Sequence, residues 1–111
     1  MLKIALHTHC NEDPKDRWIR HSAKELIDHA ARLNFNVLSI TCHNKVVYSK
    51  EMQEYADEKN ILLIPGSEKD IAGRHVLLYN FSQEEIDEIR TFDDLRKIKK
   101  KNQLVIAPHP Y

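Results

Sequence analysis

The chain of 111 residues is long enough for one domain, and a composition of 41% hydrophobic and 31% charged residues is typical of a folded protein. Its 17 Lys and Arg residues balance 17 Asp and Glu residues, so the net charge gives no support to binding of nucleic acid or an anionic membrane. No apolar run approaches the roughly 20 residues that cross a bilayer, and the first residues lack a signal-peptide pattern. We therefore expect a cytoplasmic protein whose two cysteines, Cys10 and Cys42, are reduced thiols.

Strands and helices are predicted to alternate along the chain. In chain order, the predicted strands cover residues 2–6, 36–41, 61–65, 75–81 and 104–108. The predicted helices cover residues 22–34, 49–60, 82–90 and 91–102, the first capped by Ser22 and the third by a Ser82–Glu85 capping box. Several of these strands are continuous apolar runs, which is typical of a parallel sheet covered by helices. The pattern predicts an α/β fold, either an open doubly wound sheet or a (β/α) barrel.

Imidazole or carboxylate groups follow four of the predicted strands at the point where each strand ends. His7 and His9 follow the first strand, His43 the second, Glu68 the third and His109 the last. Because the carboxyl ends of parallel strands meet at one edge of a sheet, we expect these side chains to lie close together. Imidazole combined with carboxylate suits Zn, Mn or Fe. The sequence therefore predicts a metal site, which this many ligands could make multinuclear.

The remaining histidines occupy other places. His75 lies at the start of the fourth predicted strand, and a sharp turn through Gly73 would bring it to the same edge of the sheet. His21 and His29 lie at the start and in the middle of the first helix. We interpret them as a residue near the helix cap and a residue at the edge of the helix interface, without a role in the site.

Four motifs in order carry a resemblance to a known family. They are "HTH" at 7–9, "ITCHN" at 40–44, "PGSE" at 65–68 with "GRHVLLY" at 73–79, and "APHP" at 107–110. Together they resemble the motifs of the PHP (polymerase and histidinol phosphatase) family, and the resemblance runs through the whole chain. It implies a distorted (β/α)7 barrel with a di- or trinuclear metal centre and, as in most known members, hydrolysis of phosphoesters.

The resemblance also implies roles for individual residues. The side chains that match ligand positions are His7, His9, His43, Glu68, His75 and His109, with Asp13, or Asp16 as the alternative, as the further ligand after the first motif. The implied centre holds two or three divalent ions of Zn, Mn or Fe, and its substrate is a small phosphorylated molecule. A hydroxide bridging two ions, held by His7, His9, Glu68 and His109, would attack phosphorus, while His43 and His75 hold an adjacent ion. Arg74 and Arg17 would clamp the phosphate.

The sequence departs from the family first at Cys42, which stands where the family usually has an aspartate. If that aspartate orients a ligand or tunes a bound water, a thiol would do so poorly. Cys42 could instead ligate a soft metal, fill space as a small buried side chain, or form a redox-sensitive pair with Cys10. These alternatives stay open.

The second departure is that the chain stops at Tyr111, before the family's further Asp-x-His pair and the strands that close the barrel. We therefore expect residues 1–111 to form one PHP-like domain truncated after the fourth motif, an open version of the distorted barrel with parallel strands and covering helices. Its exposed sheet edges favour a homo-oligomer or a completing chain. Other interpretations are a non-catalytic metal-binding or regulatory module, and a structural module that pairs with a second chain.

Overall fold

The computed structural model describes residues 1–108, which fold as a mixed α/β structure around a curled, five-stranded half-barrel sheet. The strands are β1 (Ile4–Thr8), β2 (Val37–Ile40), β3 (Leu62–Ile71), β4 (Arg74–Tyr79) and β5 (Leu104–Ile106). The helices are α1 (Ala23–Arg32), α2 (Lys50–Glu58), α3 (Gln83–Glu88) and α4 (Phe92–Ile98). Each predicted strand and helix is present, and β3 runs six residues beyond its predicted end. No helix in this part of the chain has the length and apolar character needed to cross a membrane.

Polar side chains determine where the helices begin. Ser22 accepts a hydrogen bond from the backbone amide of Glu25, and the Glu25 carboxylate accepts one from the amide of Ser22, both at 3.1 Å. Ser82 and Glu85 form the same reciprocal pair at the start of α3, as the sequence predicts, and Thr91 begins α4 in the same way. Each such cap stabilises its helix by about 1 kcal/mol. The caps therefore define the first residue of each of these three helices.

The strands do not all run in one direction. In the order β1-β2-β3-β4-β5, the pairs β1–β2 and β2–β3 are parallel, whereas β4 is antiparallel to both β3 and β5. The prediction of a wholly parallel sheet is therefore wrong for β4. A parallel crossover needs a connection of a dozen residues or more, and only Ala72 and Gly73 separate β3 from β4. Both have positive φ angles, 51° and 77°, as a type I′ hairpin turn requires.

One face of the sheet is covered and the other is partly open. Leu38 of β2 and Leu63 of β3 cluster with Ile27 of α1, while the outer side of β4 packs against α3 and α4. Since neighbouring side chains in a strand alternate between faces, the residues next to these core positions point inward. The inward-facing apolar residues that remain about half exposed are Ile4 (50%), Leu62 (58%) and Leu104 (52%). The five strands thus form a half-barrel with an apolar inner face, and a closed (β/α)7 barrel stays a prediction.

We expect Gly66→Ala to lower the free energy of unfolding by about 2–3 kcal/mol, because overpacking of a close contact costs this much. A Cβ atom at Gly66 would lie 2.5 Å from Ser39 Oγ, 3.0 Å from Thr41 Cγ2 and 3.2 Å from Tyr79 Cδ1. Ser39 Oγ cannot move away freely because it donates a 2.7 Å hydrogen bond to a backbone carbonyl of β3. Urea unfolding followed by circular dichroism measures the change.

Gly73→Ala is the matched control for this substitution. A Cβ at Gly73 meets no atom within 4 Å, so its only cost is the positive φ angle, about 1 kcal/mol. Equal losses in the two variants would show that the contacts around Gly66 do not limit its side chain.

Candidate metal centre

The sheet brings five of the predicted ligands together. His7 lies on β1 and His9 just after it, His43 follows β2, Glu68 lies within β3, and His75 lies on β4. His43 and Glu68 form a parallel β-bridge. In this bridge the backbone amide of Glu68 donates a hydrogen bond to the carbonyl of Cys42 at 3.0 Å. The antiparallel hairpin brings His75 back to the same region through the sharp turn at Gly73 that the sequence predicts. The strand-end rule therefore holds for His9 and His43, whereas Glu68 lies within the extended β3 and His75 lies near the start of β4.

The carboxylate of Glu68 lies at the centre of the cluster, with its side chain only 3% exposed. Its Oε1 atom is 2.8 Å from His7 Nε2 and 3.2 Å from His9 Nε2. Its Oε2 atom is 2.5 Å from His75 Nδ1 and 3.3 Å from His43 Nε2. Each oxygen therefore faces two imidazole rings, those of Oε1 from the end of β1 and those of Oε2 from β4 and the end of β2.

Glu68 is ionised in this environment. Burial opposes its negative charge, but the hydrogen bond with His7 and the charges of His43, His7 and His75 outweigh that effect. The pKa of Glu68 is consequently held below its ordinary value. The centre of the cluster thus presents a buried anion with nitrogen atoms on both sides.

Asp13 provides a second buried carboxylate on the other side of two of these rings. Its Oδ2 atom lies 2.6 Å from His9 Nδ1 and 3.0 Å from His43 Nδ1, and it also accepts from the backbone amide of His43 at 3.0 Å. Its Oδ1 atom accepts from the amides of Lys15 and Asp16 at 2.9 and 3.1 Å. Burial opposes the charge of Asp13, yet these hydrogen bonds prevail and keep its pKa below its ordinary value. Asp13 therefore fixes the orientation of both rings.

Three groups of side chains could each hold a metal ion, since one ligand atom from every member lies within 4.8 Å of the others. The groups are His7–His9–Glu68, His43–Glu68–His75, and His9–Asp13–Asp16–His43. Glu68 belongs to two of them. The cluster therefore has the nitrogen and carboxylate donors that a metal centre requires.

Asp70 belongs to the site and is absent from the sequence prediction. Its Oδ1 atom lies 3.1 Å from His75 Nε2, and its other oxygen pairs with Lys15. The hydrogen bond with Lys15 lowers the pKa of Asp70 and raises that of Lys15, so both are charged. The signal that could have revealed it is the spacing from Glu68, because residues two apart in a strand share a face.

The other predicted site residues are two arginines and His109. Arg17 and Arg74 are exposed, and their role in clamping phosphate stays a prediction. His109 lies outside the described residues. Cys42 is not a member of any of the three candidate ligand groups found in residues 1–108, and its sulfur contacts that of Cys10 instead.

Among the solved structures that share this fold, two can be compared with this chain. One is a provisionally assigned metal-dependent phosphoesterase from Bifidobacterium adolescentis, with a TM-score of 0.62 and 20% identity over 77% of this chain and 30% of that one. The other is an amidohydrolase from Chromobacterium violaceum with bound sulfate and no metal, with a TM-score of 0.63 and 20% identity over 77% of this chain and 31% of that one. The chain thus spans less than a third of the length of either neighbour.

No family model matches the chain, and no curated protein matches it significantly. At 20% identity the two structural neighbours show a shared fold, and they leave the activity of this chain to be argued from its own residues. The fold and the site together define a class of protein: a half-barrel α/β fold that carries a buried cluster of histidine and carboxylate side chains.

Proposed function

We propose that this chain is the metal-binding part of a PHP-type phosphoesterase that hydrolyses a small phosphorylated substrate. The observation that supports the proposal most strongly is the environment of His9 and His43. Both nitrogens of each ring face a carboxylate, Nδ1 toward Asp13 and Nε2 toward Glu68. A neutral imidazole carries only one N–H, so it cannot donate to both carboxylates.

For neutral rings a divalent cation resolves this conflict, whereas without a cation each ring needs a second proton to donate to both carboxylates. With the N–H of each ring donated to Asp13, the Nε2 lone pairs of His9 and His43 are free to bind a cation that the Glu68 carboxylate also neutralises. This pattern, a carboxylate behind a ligand histidine, is the usual support for a ligand ring. The donor set of imidazole and carboxylate fits Zn, Mn or Fe better than Mg or Ca.

The charge of the cluster favours an anionic substrate once metal is bound. The cluster contains four carboxylates, those of Asp13, Asp16, Glu68 and Asp70, and within residues 1–108 the ammonium group that pairs with one of them is that of Lys15. With neutral histidines this leaves three negative charges, and two divalent ions would reverse their sign. A positive, partly buried centre attracts phosphate groups.

Bound divalent ions supply Lewis acidity and a nucleophile at neutral pH, which are the requirements of phosphoester hydrolysis. The residues of the chain orient the ligands for this chemistry. Asp13 holds the rings of His9 and His43, and Asp70 holds that of His75. Lys15 lies at the outer side of the cluster, where its ammonium group can reach a bound anion by leaving Asp70.

Lys15→Ala is expected to weaken the binding of inorganic phosphate to the metal-loaded protein about tenfold, because it removes a charge-assisted hydrogen bond. Metal content should not change, since Lys15 is not a ligand. Isothermal titration with phosphate measures the effect.

Lys45→Ala is the matched control for Lys15→Ala. The side chain of Lys45 is 45% exposed and pairs with Glu12, whereas that of Lys15 is 46% exposed and pairs with Asp70. An equal loss of phosphate affinity in both variants would contradict a role for Lys15 in the site.

The experiment that tests the proposed activity measures phosphate release from a panel of sugar phosphates, nucleotides and amino-alcohol phosphates by the chain loaded with Mn or Zn. We expect turnover that Glu68→Gln abolishes. A chain that binds metal and releases no phosphate from any of these esters would contradict the proposal. It would favour a non-catalytic metal-binding subunit.

A completing chain or a second copy is part of this proposal. The inner face of the half-barrel leaves Ile4, Leu62 and Leu104 about half exposed, and β1 and β5 are the edges of the sheet within the described residues. Unpaired edges and exposed apolar surface favour association. A non-catalytic subunit would have the same need, so both candidate functions predict a species larger than a monomer in light scattering.

A further inference from the structure

The two cysteines of the chain lie next to each other at the ends of neighbouring strands. In the parallel pair β1–β2, Thr8 lies opposite Ile40, and Cys10 and Cys42 each follow two residues later. Their sulfur atoms are 3.6 Å apart, and both residues are fully buried. The chain has no other cysteine. The two sulfur atoms are therefore in contact with each other in the buried interior of the fold.

This geometry suits a disulfide bond. Neighbouring strands lie about 4.8 Å apart, and disulfides join Cα atoms that are about 4.4–6.8 Å apart. To reach the bond length of about 2.05 Å, the two sulfurs need to approach by only about 1.5 Å, which two side-chain rotations can share. Small apolar neighbours surround the pair, Ala23 and Val47 among them, and no polar group has to be moved from between the sulfurs.

We propose that Cys10 and Cys42 form a reversible disulfide that joins the ends of β1 and β2 directly beside the metal-binding histidines. Cys10 follows His9 and Cys42 precedes His43, so the bond lies next to the two histidines whose rings share Asp13. The inference does not depend on the proposed hydrolysis, because it concerns only the thiols and the two strands that carry them.

The reaction takes a small disulfide such as oxidised glutathione as its oxidant. One protein thiolate attacks the glutathione disulfide and releases one glutathione thiol, and the second protein thiol then displaces the other glutathione. The protein gains one S–S bond and loses two hydrogens, while the oxidant is reduced to two glutathione thiols. Atoms and electrons balance without any further reactant.

The test is the equilibrium constant for this exchange in the folded chain and in the chain unfolded by urea. Burial affects the rate of the exchange but not how its equilibrium constant is read. Equilibrium is verified when samples that start reduced and samples that start oxidised reach the same composition. The bond closes a loop between residues that are 32 apart in sequence. In the unfolded chain, forming this bond costs the entropy of closing the loop. If the fold already places the sulfurs together, we expect the folded constant to exceed the unfolded one by about tenfold to a hundredfold.

Intact mass under acid quench gives an unambiguous readout, because the only intramolecular disulfide that two cysteines allow is Cys10–Cys42. The disulfide lowers the mass by two hydrogens, and Cys10→Ser and Cys42→Ser can form only glutathione adducts or intermolecular dimers. A folded constant no greater than that in urea would overturn the proposal. So would complete loss of disulfide formation on metal loading together with a cobalt–thiolate absorption band, since Cys42 would then be a metal ligand.

Discussion

Glu68→Gln is expected to reduce the affinity of the chain for divalent metal on the order of a hundredfold. Glu68 contacts four imidazole rings with its two oxygens, and it belongs to two of the three candidate ligand groups. The amide of glutamine removes the negative charge and turns an N–H₂ group toward one pair of rings. Competition with a chromophoric chelator measures the affinity, and circular dichroism verifies that the variant is folded.

Glu54→Gln is the control for Glu68→Gln. Glu54 is exposed on α2, so the same chemical change there should leave metal binding unaltered. If Glu68→Gln bound metal as tightly as the wild-type chain, the buried carboxylate would not be a ligand and the proposed centre would be wrong.

Asp13→Ala is expected to have the second large effect, on stability and metal binding together. Without its carboxylate, the buried amide of His43 loses its acceptor, which costs about 1–3 kcal/mol. The amides of Lys15 and Asp16 also lose theirs, at a smaller cost because these hydrogen bonds are only partly buried. The rings of His9 and His43 also lose the group that orients them, which typically costs roughly ten- to a hundredfold in metal affinity. Urea unfolding in the presence of a chelator gives the first quantity, and chelator competition gives the second.

Asp13→Asn removes the charge and one of the two acceptor oxygens, because the side-chain amide keeps a single carbonyl oxygen for the amides that Oδ1 and Oδ2 accept from. We expect Asn to recover part of the stability lost in the alanine variant and little of the metal affinity. Asp16→Ala is the positional control, since the Asp16 side chain is 33% exposed and lies 3.4 Å from His43 and 3.9 Å from His9. A larger loss of stability in the Asp16 variant than in Asp13→Ala would contradict the central place of Asp13 in this loop.

The part of the site that follows from strand ends could be predicted from the sequence. Apolar runs that end in His7, His9 and His43 mark the carboxyl ends of β1 and β2, and parallel pairing brings such ends together. The prediction needed only the side-chain period of a strand and the rule for sheet edges. Five of the six predicted histidine and glutamate ligands consequently lie in one cluster, and the sixth, His109, is not described.

The length of β3 could not be predicted in the same way. Pro65 and Gly66 are typical of a turn, so the strand was expected to end there, but it continues to Ile71. In the structure Gly66 lies inside the sheet, where a glycine is required because the side chains of Ser39 and Tyr79 leave no room for a Cβ atom. That requirement arises from strands distant in sequence. Because the predicted third strand ends at residue 65, the prediction also lacks the antiparallel direction of β4 and the contribution of Asp70.

The role of Asp13 depends on contacts that a local pattern does not contain. Asp13 precedes a proline, which is typical of a turn, and the resemblance made it a candidate ligand. The structure shows that it binds the ring and backbone amide of His43, 30 residues later in the chain. The contact of Cys10 with Cys42, 32 residues apart, likewise follows from the register of β1 and β2.

The measurement that tests the central claim most directly is the metal content of the chain, determined by mass spectrometry on protein purified without chelator or histidine tag. A double variant, His7→Ala with His9→Ala, is measured beside it after its fold has been verified by circular dichroism. We predict two or more equivalents of divalent metal in the wild-type chain and their loss in the variant. Metal near zero in both proteins, even after incubation with Zn or Mn, would contradict the existence of the centre.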